Sequence, residues 1–213
     1  MSAAATTGRT GPPRRLRQAL LALAAVVLLV VGGWAVGRLT APSTGYPAEG
    51  SPEAGFARDM QAHHQQAVEM SMLVRDRTDD PEIRQLAYDA ARTQQHQAGQ
   101  MYGWLSVWGL PQASPGPAMA WMDGHTEHNP SPGGPTMPGM AAAAKLEALE
   151  DAEGLRAEQL YLDLMIPHHQ AGVVMAQAVL ERTENPAVRS LAQSIVTSQQ
   201  AEIGYLEQLS EAR

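Results

Sequence analysis

Apolar residues recur at helical spacing over four long stretches of this chain, residues 52–77, 80–108, 141–182 and 186–210, with no run of strict apolar/polar alternation. At 100° per residue, Phe56, Met60, His63, His64, Ala67, Met70 and Val74 fall within an arc of about 120°. That is the width of a stripe facing a core. Tyr161, Met165, His168, His169, Gly172, Met175 and Val179 repeat the stripe on the third stretch. On the second, Ile83, Leu86, Ala87, Ala90, Gln94, Gln97, Met101 and Trp104 share one face, and on the fourth Val188, Leu191, Ala192, Ile195, Gln199, Glu202, Leu206 and Leu209 do so. Four helices are predicted, each burying one side. His96 falls opposite its stripe and belongs in solvent.

A fifth stretch, residues 16–39, is apolar all round apart from Arg17, Gln18 and Arg38. Its central nineteen or so residues would make roughly 28 Å of helix, enough to cross a bilayer core. It is longer than the apolar part of a signal peptide, and no small-x-small cleavage site follows Trp34. The reading is a single-pass anchor left in place. The arginines ahead of it put residues 1–15, a polar tail, in the cytoplasm and everything after Arg38 outside.

Turn residues mark the remaining boundaries. Residues 40–51 are a Pro/Gly/Ser/Glu linker. Asp80 and Asn185 each precede a proline, the signature of a helix cap followed by a first turn that needs no N–H. The third helix is expected to break near Glu153-Gly154 and to bend at Pro167. Residues 111–140 hold seven prolines, five glycines, four methionines and two histidines, which predicts a long loop without regular structure. It separates a first hairpin, residues 52–110, from a second, residues 141–213.

The two hairpins are copies of one another. Met60-x-x-His63-His64-Gln65 followed by Met70 recurs as Met165-x-x-His168-His169-Gln170 followed by Met175, about 105 positions on. Arg77-Thr78, Arg84, Leu86 and Gln94 meet Arg182-Thr183, Arg189, Leu191 and Gln199 at the same offset without a gap. An all-α four-helix bundle built from two duplicated hairpins follows, preceded by one transmembrane helix.

Composition narrows the chemistry. There is no cysteine, so disulfides, thiolate metal sites and a cysteine nucleophile are excluded. Five arginines and no acidic residue lie before residue 41; taking them away from the net charge of −7 leaves −12 for the rest. An acidic domain excludes nucleic acid as a partner and suits cations. Nothing in the sequence identifies a protein partner.

Two readings of the paired histidines fit this pattern. In one, the imidazoles are core groups satisfied by inward Gln94, Gln97, Gln199 and Glu202, and the methionines are filler. In the other, Met60, His63, His64, Met70, Met165, His168, His169 and Met175 ligate a metal, and the same Gln and Glu side chains orient the ligands. Imidazole with thioether and no thiolate selects copper, as Cu(I) or Cu(II); zinc would leave the methionines unexplained. Met119, Met122, His125, His128, Met137 and Met140 offer a second, softer site in the loop. A ferritin-like oxidase would need Glu-x-x-His on two helices, and none lies near either pair. With no nucleophile, base and orienting group together, the expectation is a protein without catalysis, against the alternatives of an oxidase and of a metal-free interaction module in the envelope.

The duplicated Met-x-x-His-His-Gln, Met137-Pro-Gly-Met140 and Met165-Ile-Pro-His-His-Gln170 with Met175 resemble the family called domain of unknown function 305, over about residues 52–210. The resemblance implies a ferritin-like four-helix fold, secreted or membrane-anchored in bacteria, with some members implicated in periplasmic copper binding and resistance. Carried over by motif, it implies the same eight His and Met ligands. The first half departs from the second in having Ala62 for Pro167 and Gln97 for Glu202.

Overall fold

Each long helix begins where a short polar side chain satisfies its first free amides. Ser51 accepts from Ala54 N–H, Asp80 from Glu82 and Ile83, and Asn185 from Ala187 and Val188. In the computed structural model, which describes residues 14–40, 45–122 and 137–213, these caps open α2 (Pro52–Arg77), α3 (Pro81–Trp108) and α6 (Pro186–Glu211). α1 is Arg14–Thr40, α4 is Ala143–Glu150 and α5 is Gly154–Leu180. The described residues are all-helical. Apart from those six helices they hold one 3₁₀ turn, Ala120–Met122, a regular element that the Pro/Gly-rich composition of the loop hid.

The helix predicted from residue 141 is two helices, α4 and α5. They divide at Asp151–Glu153, and Gly154 starts α5 in the left-handed region at φ 55°. Pro167 lies inside α5 without interrupting it. Pro167 and Asp163 are both exposed, so the carbonyl left without its amide partner belongs to a solvent-facing turn.

α1 belongs to one unit and is long and apolar enough to cross a membrane. Residues 46–213 form the other unit, the ferritin-like four-helix bundle of two duplicated hairpins. In it α2 packs on α3, α5 packs on α6, and α2 lies along α5 to join the hairpins. α4 covers one stretch of α2 and α5.

The two hairpins exchange equivalent contacts. Thr78 Oγ1 donates to Glu158 Oε1 at 2.5 Å, and Thr183 Oγ1 donates to Glu53 Oε1 at 2.6 Å. Thr78 and Thr183 stand at the same place in the two repeats, as do Glu53 and Glu158. Each threonine also accepts from the amide of the next helix cap, Asp80 or Asn185, at 3.0 Å. Arg84 and Arg189 bind the carbonyls of Thr78 and Thr183 in the same way. The start of α2 therefore meets the end of α5 and the reverse: the hairpins are antiparallel and related by a pseudo-twofold axis through the α2/α5 contact.

Candidate metal centre

On that axis stand two histidines. His63 and His168 are fully buried, their ring centroids 3.7 Å apart and their planes inclined by 29°. Each follows its repeat's first methionine by three residues, so the stripe that carries Met60 or Met165 into the core carries the ring with it. His64 and His169, the next residues, are buried on either side. The sequence pointed both doublets inward without giving the register between their helices. The fold brings the two doublets into one centre, with the inner imidazoles stacked.

The outer imidazoles are each held by the partner helix of their own hairpin. His64 Nε2–H donates to Gln97 Oε1 at 2.8 Å, and His169 Nε2–H donates to Glu202 Oε2 at 2.7 Å. An oxygen acceptor at Nε2 fixes a proton there. Both Nδ1 atoms are buried without a hydrogen-bond partner, and so are both ring nitrogens of His63 and of His168. The amide O and N of Gln94 and of Gln199 are unpartnered in the core as well. Buried polar atoms normally find partners, so these orphaned donors and acceptors on the inward faces of the four long helices are the unusual feature of the bundle.

Burial disfavours charge on three of the four imidazoles. His63 is pushed down to about 3 and His64 to about 4, in each case first by burial and then by neighbouring imidazoles. His168 lies well below the ordinary imidazole range for the same reasons. The Pro138 carbonyl pulls His63 back up slightly without reaching hydrogen-bonding geometry. Near pH 7 these rings carry lone pairs rather than charge, the form that binds a metal.

The four motif methionines are all buried, and the fold sorts them differently from the sequence. Met60 and Met175 belong to one apolar cluster, Met70 and Met165 to another. Each cluster takes one methionine from each repeat, and the histidines lie between them along α2 and α5. Met119, Met122 and Met137 from the long loop are buried with Met60 and Met175, and Met140 packs partly buried against them. His125 and His128 lie outside the described residues. His96 is exposed and bonds Gln100, and Glu69 is exposed as well.

Three positioning contacts escaped the sequence reading. Gln66 clamps Ala141 from both sides, its amide N–H donating to the Ala141 carbonyl at 2.9 Å and its carbonyl accepting from Ala141 N–H at 2.7 Å. Gly139, at φ 73°, lies so close to α5 that a Cβ there would come within 2.6 Å of the Pro167 carbonyl. Together these hold Met137–Met140 against the turn that carries His168. Asp59 Oδ2 accepts from Met119 N–H and Trp121 Nε1–H, both at 2.8 Å, and fixes the 3₁₀ turn to α2. Gln66 and Asp59 stand opposite Ala171 and Leu164 in the second repeat, and that asymmetry was the available signal.

Among the described residues no three His, Cys, Asp or Glu side chains are arranged as a ready-made metal cage. The donor set nevertheless fits a soft cation: buried imidazole nitrogens without hydrogen-bond partners, with thioethers in the apolar clusters on either side.

The chain belongs to the family described as domain of unknown function (DUF305), whose model matches residues 53–210. A putative secreted DUF305 protein of Streptomyces coelicolor is 48% identical, covers 76% of this chain and 93% of its own, and superposes with a TM-score of 0.70. A DUF305 fragment from Deinococcus radiodurans is 31% identical, with 78% and 100% covered and a TM-score of 0.63. CopM, solved in Cu(I)- and Cu(II)-bound forms, is 26% identical in both. The Cu(I) form covers 75% of this chain and 96% of its own, with a TM-score of 0.58. An uncharacterized protein of Acanthamoeba polyphaga mimivirus is 36% identical over 56 residues, and the match spans 37% of that protein's length.

Proposed function

We propose that this chain is a single-pass, membrane-anchored protein whose extracytoplasmic bundle binds copper, to buffer it or hand it on, without catalysis. One observation carries the reading: six imidazole nitrogens, from His63, His64, His168 and His169, are buried with no hydrogen-bond partner. Copper-bound forms of CopM support the choice of metal, and the secreted relative supports the outside address. The anchor is α1, with its arginine-rich side in the cytoplasm.

In this reading His63, His168 and the Nδ1 atoms of His64 and His169 supply nitrogen, and Met60, Met70, Met165 and Met175 supply thioether sulfur. Gln97 and Glu202 orient the outer rings by holding Nε2–H. Imidazole serves either oxidation state of copper and thioether favours Cu(I). The loop methionines in the cluster of Met60 and Met175 add further soft donors. Metal analysis of the full chain in detergent tests this, loading wild type and the His63/His64/His168/His169→Ala variant with Cu(I) and with Cu(II). Stoichiometric copper in the wild type, lost in the variant, with no copper-dependent oxygen consumption, is the expected result. No copper uptake by the wild type sinks the proposal, and oxygen consumption sinks its non-catalytic part.

A further inference from the structure

The pseudo-twofold centre is not chemically symmetric. Gln97 and Glu202 hold equivalent imidazoles at nearly equal distances, 2.8 and 2.7 Å, yet one is a neutral amide and the other a carboxylate. Among the described residues Glu202 is the one carboxylate bonded to any of the four buried imidazoles. Gln97 is buried, whereas the Glu202 side chain keeps 22% of its surface in solvent. Its field reaches the core: it adds to burial in raising the phenol of the fully buried Tyr161, which stands where the first repeat has Phe56.

Resting on the copper reading above, we infer that Glu202 sets the charge preference of the centre, making the α5/α6 side the one that accepts a divalent ion and leaving the Gln97 side suited to a monovalent one. A second positive charge brought among neutral imidazoles and thioethers is costly unless an anion accompanies it. Glu202 places a carboxylate against the His169 ring at 2.7 Å. Gln97 offers only a dipole to His64. Glu202 is thus a positioning residue that acts through His169.

The symmetry supplies its own control. Affinities for Cu(II), and for Ag(I) as a redox-inert monovalent ion, are measured by competition against chelators on the full chain in detergent. Wild type, Glu202→Gln, Gln97→Glu and the Gln97→Glu/Glu202→Gln exchange are compared. Glu202→Gln is expected to weaken Cu(II) by about tenfold to a hundredfold while leaving Ag(I) unchanged. Gln97→Glu is expected to strengthen Cu(II), and the exchange to restore it. A merely structural role would move both ions together. Equal loss of both, loss of neither, or an exchange protein as weak as Glu202→Gln overturns the inference while the copper reading stands. A wild type that binds neither ion overturns both.

Discussion

His63 and His168 stack at a centroid distance of 3.7 Å, and they are the same residue of two repeats. Duplication therefore did more than double a site. It placed one imidazole of each copy on the symmetry axis and left its ring nitrogens without partners in the core. Neither hairpin alone contains this arrangement.

Both axis histidines should matter, though not equally. His63→Ala and His168→Ala are each expected to lower copper affinity, because both rings stand at the α2/α5 contact, and His168→Ala should cost Cu(II) the more because its hairpin carries Glu202. Affinity titration of the two variants checks this, and an unchanged affinity in either would contradict it.

Acid should unfold the metal-free domain through these rings. His63, His64 and His168 are depressed in the fold to about 3, about 4 and well below 6.5, against an ordinary 6.5 when unfolded. Below pH 6.5 the unfolded chain binds protons that the folded chain refuses, so stability is full above that value and falls with pH down to the folded values. Each ring contributes up to about 1.4 kcal/mol per pH unit, hence about 4 for the three near pH 5. Melting temperature followed from pH 7 to pH 4.5 should drop steeply below 6.5, and His63→Gln/His168→Gln should flatten that slope.

Two glycines near the centre should respond oppositely to alanine. At Gly139 the new Cβ meets backbone, the Pro167 carbonyl at 2.6 Å, in a left-handed conformation. A loss of about 1–3 kcal/mol is expected. At Gly172 it meets the end of the Gln199 side chain, which can swing aside, and the first repeat already carries Ala67 there. Gly172→Ala should cost little in thermal denaturation.

The exchanged Thr–Glu pairs should be equivalent. Thr78→Val and Thr183→Val each leave a glutamate without its hydroxyl donor and a cap amide without its acceptor. Each is expected to cost about 1–3 kcal/mol in chemical denaturation. A marked inequality would contradict the symmetric fold.

Much of this was legible before the fold. Asp80-Pro81 and Asn185-Pro186 announced two helix starts, because a carboxylate or amide cap and an N–H-free proline suit a first turn. The 3.6-residue period placed His63, His64, His168 and His169 inward, and all four are buried. Periodicity gives a direction around one helix, however, and not a register between two. That is why the stacking of His63 on His168, and the gathering of Met60 with Met175 and of Met70 with Met165 in common clusters, did not follow from the stripes. The Asp59–Trp121 and Gln66–Ala141 contacts join residues distant in sequence and use polar side chains that look like solvated ones in a helical pattern.

If the stacked imidazoles on the axis hold copper, X-ray absorption at the copper edge of the loaded full chain will show imidazole nitrogen and thioether sulfur around the metal. In His63→Ala/His168→Ala the imidazole signal should be lost together with the bound copper. A copper environment in that variant unchanged from the wild type would mean that the metal sits elsewhere.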